Sequence, residues 1–265
     1  MQIIISPAKT MDFETAPVTD IYTQSEFLNK SRTLNTALKQ HKAAGISKLM
    51  GLSDNLATLN VARYKAWKLP FTPNNAKQAV LAFKGDVYIG LDAESMSADD
   101  FTFTQQHLRI LSGLYGLIKP LDLIMPYRLE MGTRLATQKG TNLYQYWGDS
   151  LTLALNKEAK GEAYEGEENV LINLASNEYS KVINRKKLKA KLITPVFKDQ
   201  KNGKYKVISF FAKRARGLMT RYIVDNRLTE AEALKAFTVS GYYFDLEQST
   251  DTDFVFLRNE ADAGM

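Results

Sequence analysis

The residues of this chain best suited to chemistry are lysines, arginines, small residues and a few carboxylates that follow apolar runs, and the chemistry they suit is the handling of phosphate. Ser6-Pro-Ala-Lys-Thr10 directly follows the apolar run Ile3–Ile5. Small residues and a Lys at a strand's carboxyl end are a common place for substrates and phosphates in α/β folds. The glycine spacing of a P-loop is missing, which disfavours a Walker-type NTPase and leaves Lys9 as either a phosphate ligand or a surface lysine. Phe83-Lys-Gly-Asp-Val-Tyr88 places Gly85 where backbone could approach a ligand, between Lys84 and Asp86, although the same residues would also make a tight turn. Tyr127-Arg-Leu-Glu-Met-Gly-Thr-Arg134 spaces Arg128, Glu130 and Arg134 so that an extended segment carries them on one face, as a binding surface or as an internal ion-pair ladder. Asn173, Ser176, Asn177, Glu178 and Tyr179 end a buried apolar strand, with Ser176 equally readable as a helix cap. If Lys9, Lys84, Asp86, Arg128, Glu130, Asn173 and Glu178 converge on one pocket, the chain reads as an enzyme acting on a phosphate-bearing substrate, a nucleic acid or a nucleotide. Separation of Lys9, Lys84 and Arg128 by more than a ligand's length would remove that reading.

Charge points the same way. Between Lys181 and Arg227 there are fifteen Lys or Arg against two acids, Asp199 and Asp225, a formal charge of +13 in a chain whose total is +6. Such a segment is either the electrostatic footprint of a polyanion binder or a set of solvated faces. On the helix expected at Ala212–Val224, Lys213, Arg214, Arg216 and Arg221 fall within roughly 160° of one another, opposite Ala215, Leu218, Met219 and Tyr222. Three of those four are Arg, which can grip phosphate oxygens in a bidentate manner. Lys204 and Lys206 alternate along an expected strand and share a face.

Other chemistries are excluded or weakened by composition. With no cysteine there is no disulfide, thiolate nucleophile or Cys-held metal, and the two histidines, His41 and His107, are far apart. His107 lies among apolar residues of an expected helix and reads as a core histidine, so no Ser-His-Asp order is defensible and no catalytic residue, metal ligand or cofactor is assigned. An all-carboxylate iron or magnesium site is the only metal chemistry that counting leaves open. No apolar run approaches the ~18 residues of a membrane span, and the N-terminus lacks a signal-peptide pattern, so the expected location is cytoplasmic and no membrane partner is expected.

The elements that must position these residues follow from periodicity and punctuation. Strands are expected at Gln2–Ile5, Val170–Leu174, Tyr242–Phe244 and Phe254–Leu257, and a hairpin at Leu192–Lys198 and Lys204–Phe211 around Asn202-Gly203. Helices are expected from Ser25 to about Gln40, from Ser53, over Asn74–Leu81 behind Thr72-Pro73, from a Ser97–Asp100 capping box through Leu111, over Asn142–Ala159, and from a Thr229–Glu232 capping box. Ala82–Leu91 reads as extended with an interruption at Lys84-Gly85, and Lys160–Glu168 as a tolerated surface loop. The mixture, with at least one antiparallel hairpin near residues 192–211, argues for α+β or a mixed α/β sheet in one compact domain over residues 1–258, with a frayed tail at 259–265.

At this point the sequence resembles a known family. Ile5-Ser-Pro-Ala-Lys-Thr10, Phe83-Lys-Gly-Asp-Val-Tyr88, Leu111-Ser-Gly-Leu-Tyr-Gly116, Pro120-Leu-Asp122, Pro126-Tyr-Arg-Leu-Glu-Met-Gly132, Tyr144-Gln-Tyr-Trp-Gly148, Asn173-Leu-Ala-Ser176 and Ala212-Lys-Arg-Ala-Arg-Gly-Leu-Met219 look like the bacterial peroxide stress protein YaaA family. The resemblance implies a cytosolic protein of the hydrogen peroxide response that helps keep free iron and oxidative damage low. It also implies a single mixed α/β domain with a positively charged cleft, DNA bound largely without sequence specificity, and a helix–hairpin–helix-like element. No catalytic activity and no protein partner come with it. Carried onto this chain, the hairpin falls on Leu111–Gly116, with Gly113 and Gly116 presenting amides to phosphate. The expected contacts to the DNA backbone are then Lys9, Lys84, Gly113, Gly116, Arg128, Arg134, Lys204, Lys206, Lys213, Arg214, Arg216 and Arg221.

Overall fold

Two continuous apolar runs set the centre of the sheet. Strands β1 (Gln2–Ile5) and β8 (Val170–Leu174) are buried at every position, the pattern of strands covered on both faces, and they pair in parallel from Gln2 opposite Leu171 to Ile5 opposite Leu174. The computed structural model describes residues 1–161, 165–166 and 168–263. Between and beyond those two strands lie β2 (Thr10–Met11), β3 (Lys77–Gln78), β4 (Phe83–Lys84), β5 (Leu108–Ser112), β6 (Gly116–Ile118), β7 (Leu123–Ile124), β9 (Lys191–Lys201), β10 (Lys204–Lys206), β11 (Tyr242–Asp245) and β12 (Asp253–Arg258). The helices are α1 (Leu28–Lys39), α2 (Ala43–Met50), α3 (Asp54–Ala66), α4 (Ala79–Ala82), α5 (Asp86–Leu91), α6 (Ala98–His107), α7 (Leu143–Trp147), α8 (Ser150–Glu158), α9 (Asn177–Ser180) and α10 (Ser209–Asp225).

Among the described residues the main sheet has eight strands in the order β11-β12-β9-β8-β1-β5-β6, with β10 paired to β9. Its middle, β12-β9-β8-β1-β5, is parallel throughout, and antiparallel pairing is confined to β11, β6 and β10. The expected mixed sheet is therefore present, with a larger parallel centre than one hairpin suggested. From β1 the chain next enters this sheet at β5, on one side; from β8 it next enters at β9, on the other. The connections leaving β1 and β8 diverge, which opens a crevice at their carboxyl ends, the switch point where open α/β sheets bind ligands.

Strand β9 alternates buried and half-buried residues, and its buried phase holds Ile193, Phe197 and also Asp199. The Arg258 Nε donates to Asp199 at 2.6 Å, the Tyr242 hydroxyl donates to the same carboxylate at 3.1 Å, and the guanidinium lies 4.6 Å from the Phe211 and Tyr242 ring centres. Because Phe211 lies in the first turn of α10, this buried pair pins the start of that helix to the sheet. The Asn202-Gly203 hairpin is formed as expected, with both residues at positive φ and Lys201 opposite Lys204. Its second strand ends at Lys206 rather than Phe211, because α10 begins at Ser209.

Several local expectations give way to tertiary pairing. Asn74–Leu81 is a turn followed by β3 and the single turn α4. Lys77 and Gln78 pair with β7 and donate side-chain hydrogen bonds to the carbonyls of Thr15, Thr19 and Ile21. Ala82–Leu91 is extended only through Lys84; Gly85 at φ 154° starts α5. The Ser97–Asp100 capping box is present, but its helix stops at His107, and Leu108–Ser112 instead pairs with β1. His107 is a core histidine, stacked on Phe103 at 4.1 Å with Nδ1 2.8 Å from the Met1 carbonyl. Asn142–Ala159 divides into α7 and α8 at Gly148, which has φ 50°. At Thr229–Glu232 no side-chain cap forms and Ala231–Ala236 is a 3-10 turn. The tail from Asn259 makes contacts at its start: Asn259 accepts from the Tyr205 hydroxyl at 2.6 Å and Glu260 from the Asn202 amide at 3.1 Å. The loop expected at Lys160–Glu168 lies partly outside the described residues.

Asp100 gives a pH-linked test of one local element. Burial alone would raise its pKa, but hydrogen bonds from the Ser97 amide and hydroxyl and from Arg227 outweigh that and hold it at about 2, against an ordinary 3.8. A depressed folded pKa contributes stability above the unfolded value and loses it as pH falls through the folded one. Asp100→Asn is expected to cost about 1–2 kcal/mol at neutral pH. In thermal melts that difference from wild type should shrink between about pH 4 and pH 2.

Candidate functional site: a cleft at the switch point

The loops that leave β1 and β8 line a cleft of about 530 Å³. Ser6–Thr10 contributes from one, Leu174 with Ser176–Tyr179 from the other, and Lys84–Tyr88, Glu130, Lys213 and Arg216 complete it. The two loops are tied together: the Ser176 amide donates to Ser6 Oγ at 2.9 Å, and the Ser6 hydroxyl donates to Ser176 Oγ at 3.3 Å. Ser176 precedes α9 without capping it through its side chain. The Tyr88 hydroxyl donates to the Ser6 carbonyl at 3.1 Å, which fixes α5 against the β1 loop. Burial raises the pKa of Tyr88 and Tyr179, so both phenols stay neutral hydrogen-bonding groups.

Glycine contact brings the cationic helix to this wall. Helix α10 crosses α5 at Gly217 and Gly90. A Cβ on Gly217 would lie 1.9 Å from the Val87 carbonyl oxygen, and one on Gly90 would lie 2.4 Å from the Arg214 carbonyl oxygen. The helices therefore meet backbone to backbone, and Lys213 and Arg216, one turn apart, project into the cleft.

Arg216 is half-buried, and among the described residues no ion pair or hydrogen bond engages its guanidinium. Burial lowers its pKa, yet a guanidinium keeps its proton, so the fold holds a partly desolvated cation without a protein anion. The other charges are mostly engaged. Lys9 pairs with Glu130 at 3.0 Å, Arg128 pairs with Glu130 at 3.0 Å, Lys84 pairs with Glu94 and lies 3.8 Å from Asp12, and the Gly132 amide donates to Glu178 at 2.9 Å. Lys9 and Lys84 thus line one cleft, whereas Arg128 reaches it only through Glu130 and Asn173 is turned to Thr194 and the Ala175 amide, so the convergence behind the small-ligand reading is partial; the Arg128–Glu130 pair of the ion-pair reading is formed. Glu130 and Asp86 face the same space as the lysines, so the lining holds Lys9, Lys84, Lys213 and Arg216 against Asp86, Glu130 and Glu178. The cleft is close to charge-balanced rather than uniformly basic.

The remaining sequence candidates divide. Gly113 and Gly116 are buried in the β5–β6 turn; a Cβ there would meet the Leu129 carbonyl oxygen at 2.2 Å and the Trp147 ring at 2.7 Å. Leu111–Gly116 is therefore a strand–turn–strand hairpin inside the core, not a helix–hairpin–helix, and its amides face no solvent. The single cationic face drawn for α10 also splits. Arg214 is exposed, whereas Arg221 donates to Asp225 at 2.6 Å, to the Asp92 carbonyl at 2.9 Å and to Ser95 Oγ at 2.7 Å. Arg221 is a clamp on the 92–95 turn, and Arg221→Ala is expected to cost about 1 kcal/mol of stability, read by thermal melting, with no change in any salt-dependent binding. Lys204 and Lys206 are exposed on β10, and Arg134 is exposed beside the cleft-forming segment. Asn177 and Tyr179, singled out by their place after the buried strand, are in the lining, and so is Tyr88, which sequence reasoning named only as the end of the Phe83–Tyr88 block. Among the described residues no three His, Cys, Asp or Glu side chains gather to hold a metal ion, and no helix is long and apolar enough to cross a membrane.

Comparison with known proteins matches nearly the whole chain. The chain is 56% identical over 260 residues to a UPF0246 protein of Shewanella baltica (strain OS185), covering 98% of this chain and 100% of that protein. It is 57% identical over 258 residues to a UPF0246 protein of Aromatoleum aromaticum, covering 97% and 99% respectively. The sequence profile of the family described as peroxide stress protein YaaA matches residues 1–248, and the chain belongs to that family.

Proposed function

We propose that this member of a peroxide stress family binds DNA largely without sequence specificity at the switch-point cleft and its cationic surround, and thereby helps limit free-iron and oxidative damage. The observation that carries the reading is Arg216, a half-buried cation in the cleft with no protein partner among the described residues and Lys213 one turn away. A phosphate is the complementary group, since guanidinium and phosphate form bidentate, charge-assisted hydrogen bonds. Lys204, Lys206 and Arg214 lie exposed on the neighbouring hairpin and helix, where the backbone of a longer strand would add sequence-independent contacts.

Fluorescence anisotropy of labelled DNA across a salt series tests this. The logarithm of affinity should fall linearly with the logarithm of salt, by about 0.9 for each phosphate neutralised. Replacing Lys204 and Lys206 together with Ala should flatten that slope by about 1–2 units and weaken all sequences alike. Absence of binding, or binding indifferent to salt, would remove the proposal. For the iron link, a strain lacking this protein should show raised free iron under peroxide, restored by the wild type and not by Arg216→Ala.

The three carboxylates in the cleft favour a second reading, an enzyme acting on a phosphate-bearing substrate. Asp86, Glu130 and Glu178 would repel a ligand that offered only phosphate, so their presence fits a substrate with hydrogen-bond donors as well. Product analysis after prolonged incubation with nucleic acid and with free nucleotides separates turnover from binding.

A further inference from the structure

The chemistry of the cleft is more specific than attraction for a polyanion. Besides Lys9 and Lys84, its lining brings Lys213 and Arg216 from one helix together with apolar surface from Pro7, Ala8, Val87 and Leu174, and carboxylate oxygens from Asp86 and Glu178. A bare phosphate uses only the first of these. A ligand with an anionic end, a flat apolar body and N–H or O–H donors uses all of them, and a nucleotide has that composition: carboxylates accept from exocyclic base amines and sugar hydroxyls.

Size excludes a duplex from the interior. The volume of about 530 Å³ lies within the roughly 300–1,000 Å³ of sites that hold one small molecule. Specific duplex complexes instead bury about 1,000 Å² or more of protein surface.

Two features outside the cleft show how a strand could continue from it. Asn177 lines the cleft and also borders a neighbouring cationic depression formed with Ser180, Lys181, Ile183 and Arg185, so the two are adjacent. On the helix that carries the cleft's cations, Phe210 is 58% exposed and stands one helical turn before Lys213 and Arg214. An exposed aromatic ring among cations is the arrangement on which unpaired bases stack.

We infer that the cleft seats one unpaired nucleotide, with its phosphate on Arg216 and Lys213, its base against the apolar wall and carboxylates, and the adjoining base stacked on Phe210. The inference rests on the reading that Arg216 meets phosphate. Its source can be a free nucleotide or a single-stranded stretch of nucleic acid, and the test separates the two.

The probe is a short duplex with a single-stranded tail carrying 2-aminopurine, whose emission responds to unstacking, compared with a blunt duplex of equal length and with free AMP. The tailed probe should bind at least about tenfold more tightly than the blunt one. Its emission should change at saturation, AMP should compete, and Arg216→Ala should abolish the emission change. Phe210→Ala should weaken tailed-probe binding severalfold without altering AMP competition. Arg216→Lys, which keeps the charge, should retain part of the signal and guards against misfolding of the Ala variant. Equal affinity for blunt and tailed DNA with a silent probe would overturn the inference while leaving salt-dependent DNA binding intact. Arg216-dependent binding of AMP without DNA binding would support the nucleotide seat and remove the DNA function instead.

Discussion

Replacing Arg216 with Ala is expected to weaken binding of a phosphate-bearing strand about ten- to a hundredfold, the equivalent of the roughly 1.5–3 kcal/mol of a charge-assisted hydrogen bond. The melting temperature should stay the same or rise slightly. Most arginines in this fold are engaged: Arg221 clamps the 92–95 turn, Arg258 is held between Asp199 and two rings, and Arg109 donates to Glu158 at 2.8 Å. Truncating any of those would leave an acceptor unsatisfied. Arg216 has no such partner among the described residues, and its burial is a cost to the folded state. Removing it relieves that cost and adds a residue of higher helix propensity. Lost binding with preserved stability is the signature of a group kept for a ligand. Equilibrium binding and thermal melting on the same preparation check it; a large fall in melting temperature would make Arg216 a structural residue.

The second large effect is expected at Gly217, where Gly217→Ala should destabilise the protein by about 2 kcal/mol or more and lower its melting temperature by roughly 4–8 °C. Ala is the better helix former by about 1 kcal/mol, so propensity alone gives the opposite sign. The added Cβ, however, would sit 1.9 Å from the Val87 carbonyl oxygen and 2.9 Å from the Gly90 Cα. Both are backbone atoms, unable to rotate away, so α10 would have to move off α5. The same movement would carry Lys213 and Arg216 away from Ser6–Lys9, and binding should fall together with stability. Calorimetry and anisotropy on Gly217→Ala check both effects; a variant that melts with the wild type would mean that the crossing yields easily.

Features set by neighbours in sequence were legible from sequence. Asn202-Gly203 needs two positive-φ residues and the chain supplies them; Ser97 and Asp100 satisfy each other across one turn; the runs at Gln2–Ile5 and Val170–Leu174, apolar but for Gln2 and Asn173, are buried throughout. Features set across the fold were not. Leu108–Ser112 continues a helical pattern, but pairing with β1, more than a hundred residues earlier, outweighs propensity. Lys77 and Gln78 leave an expected helix for the same reason, in partnership with β7. The parallel order of the sheet, and with it the switch point, depends wholly on such distant pairing.

The site was legible as parts and not as a whole. Lys9, Lys84, Glu130, Glu178 and Arg216 each stood out beside an apolar run or on a helix face, and the sheet brings them to one cleft. What periodicity could not foresee is how the face of α10 is shared out. Arg216 and Arg221 lie on the same broad arc, but the 92–95 turn captures one and the cleft leaves the other open. The turn Leu111–Gly116 misled because its two glycines serve close packing against Leu129 and Trp147, a use of glycine that resembles a phosphate loop in sequence.

The most direct measurement is NMR of the arginine Nε–H groups of the isotopically labelled protein, titrated with single-stranded DNA, with Arg216 assigned by comparison with Arg216→Lys. The Arg216 resonance should shift and sharpen at the lowest DNA concentrations, while Arg221 and Arg258, already engaged, stay in place. Shifts confined to Arg214 and other exposed arginines, with Arg216 unmoved at saturation, would contradict the cleft as the place where phosphate binds.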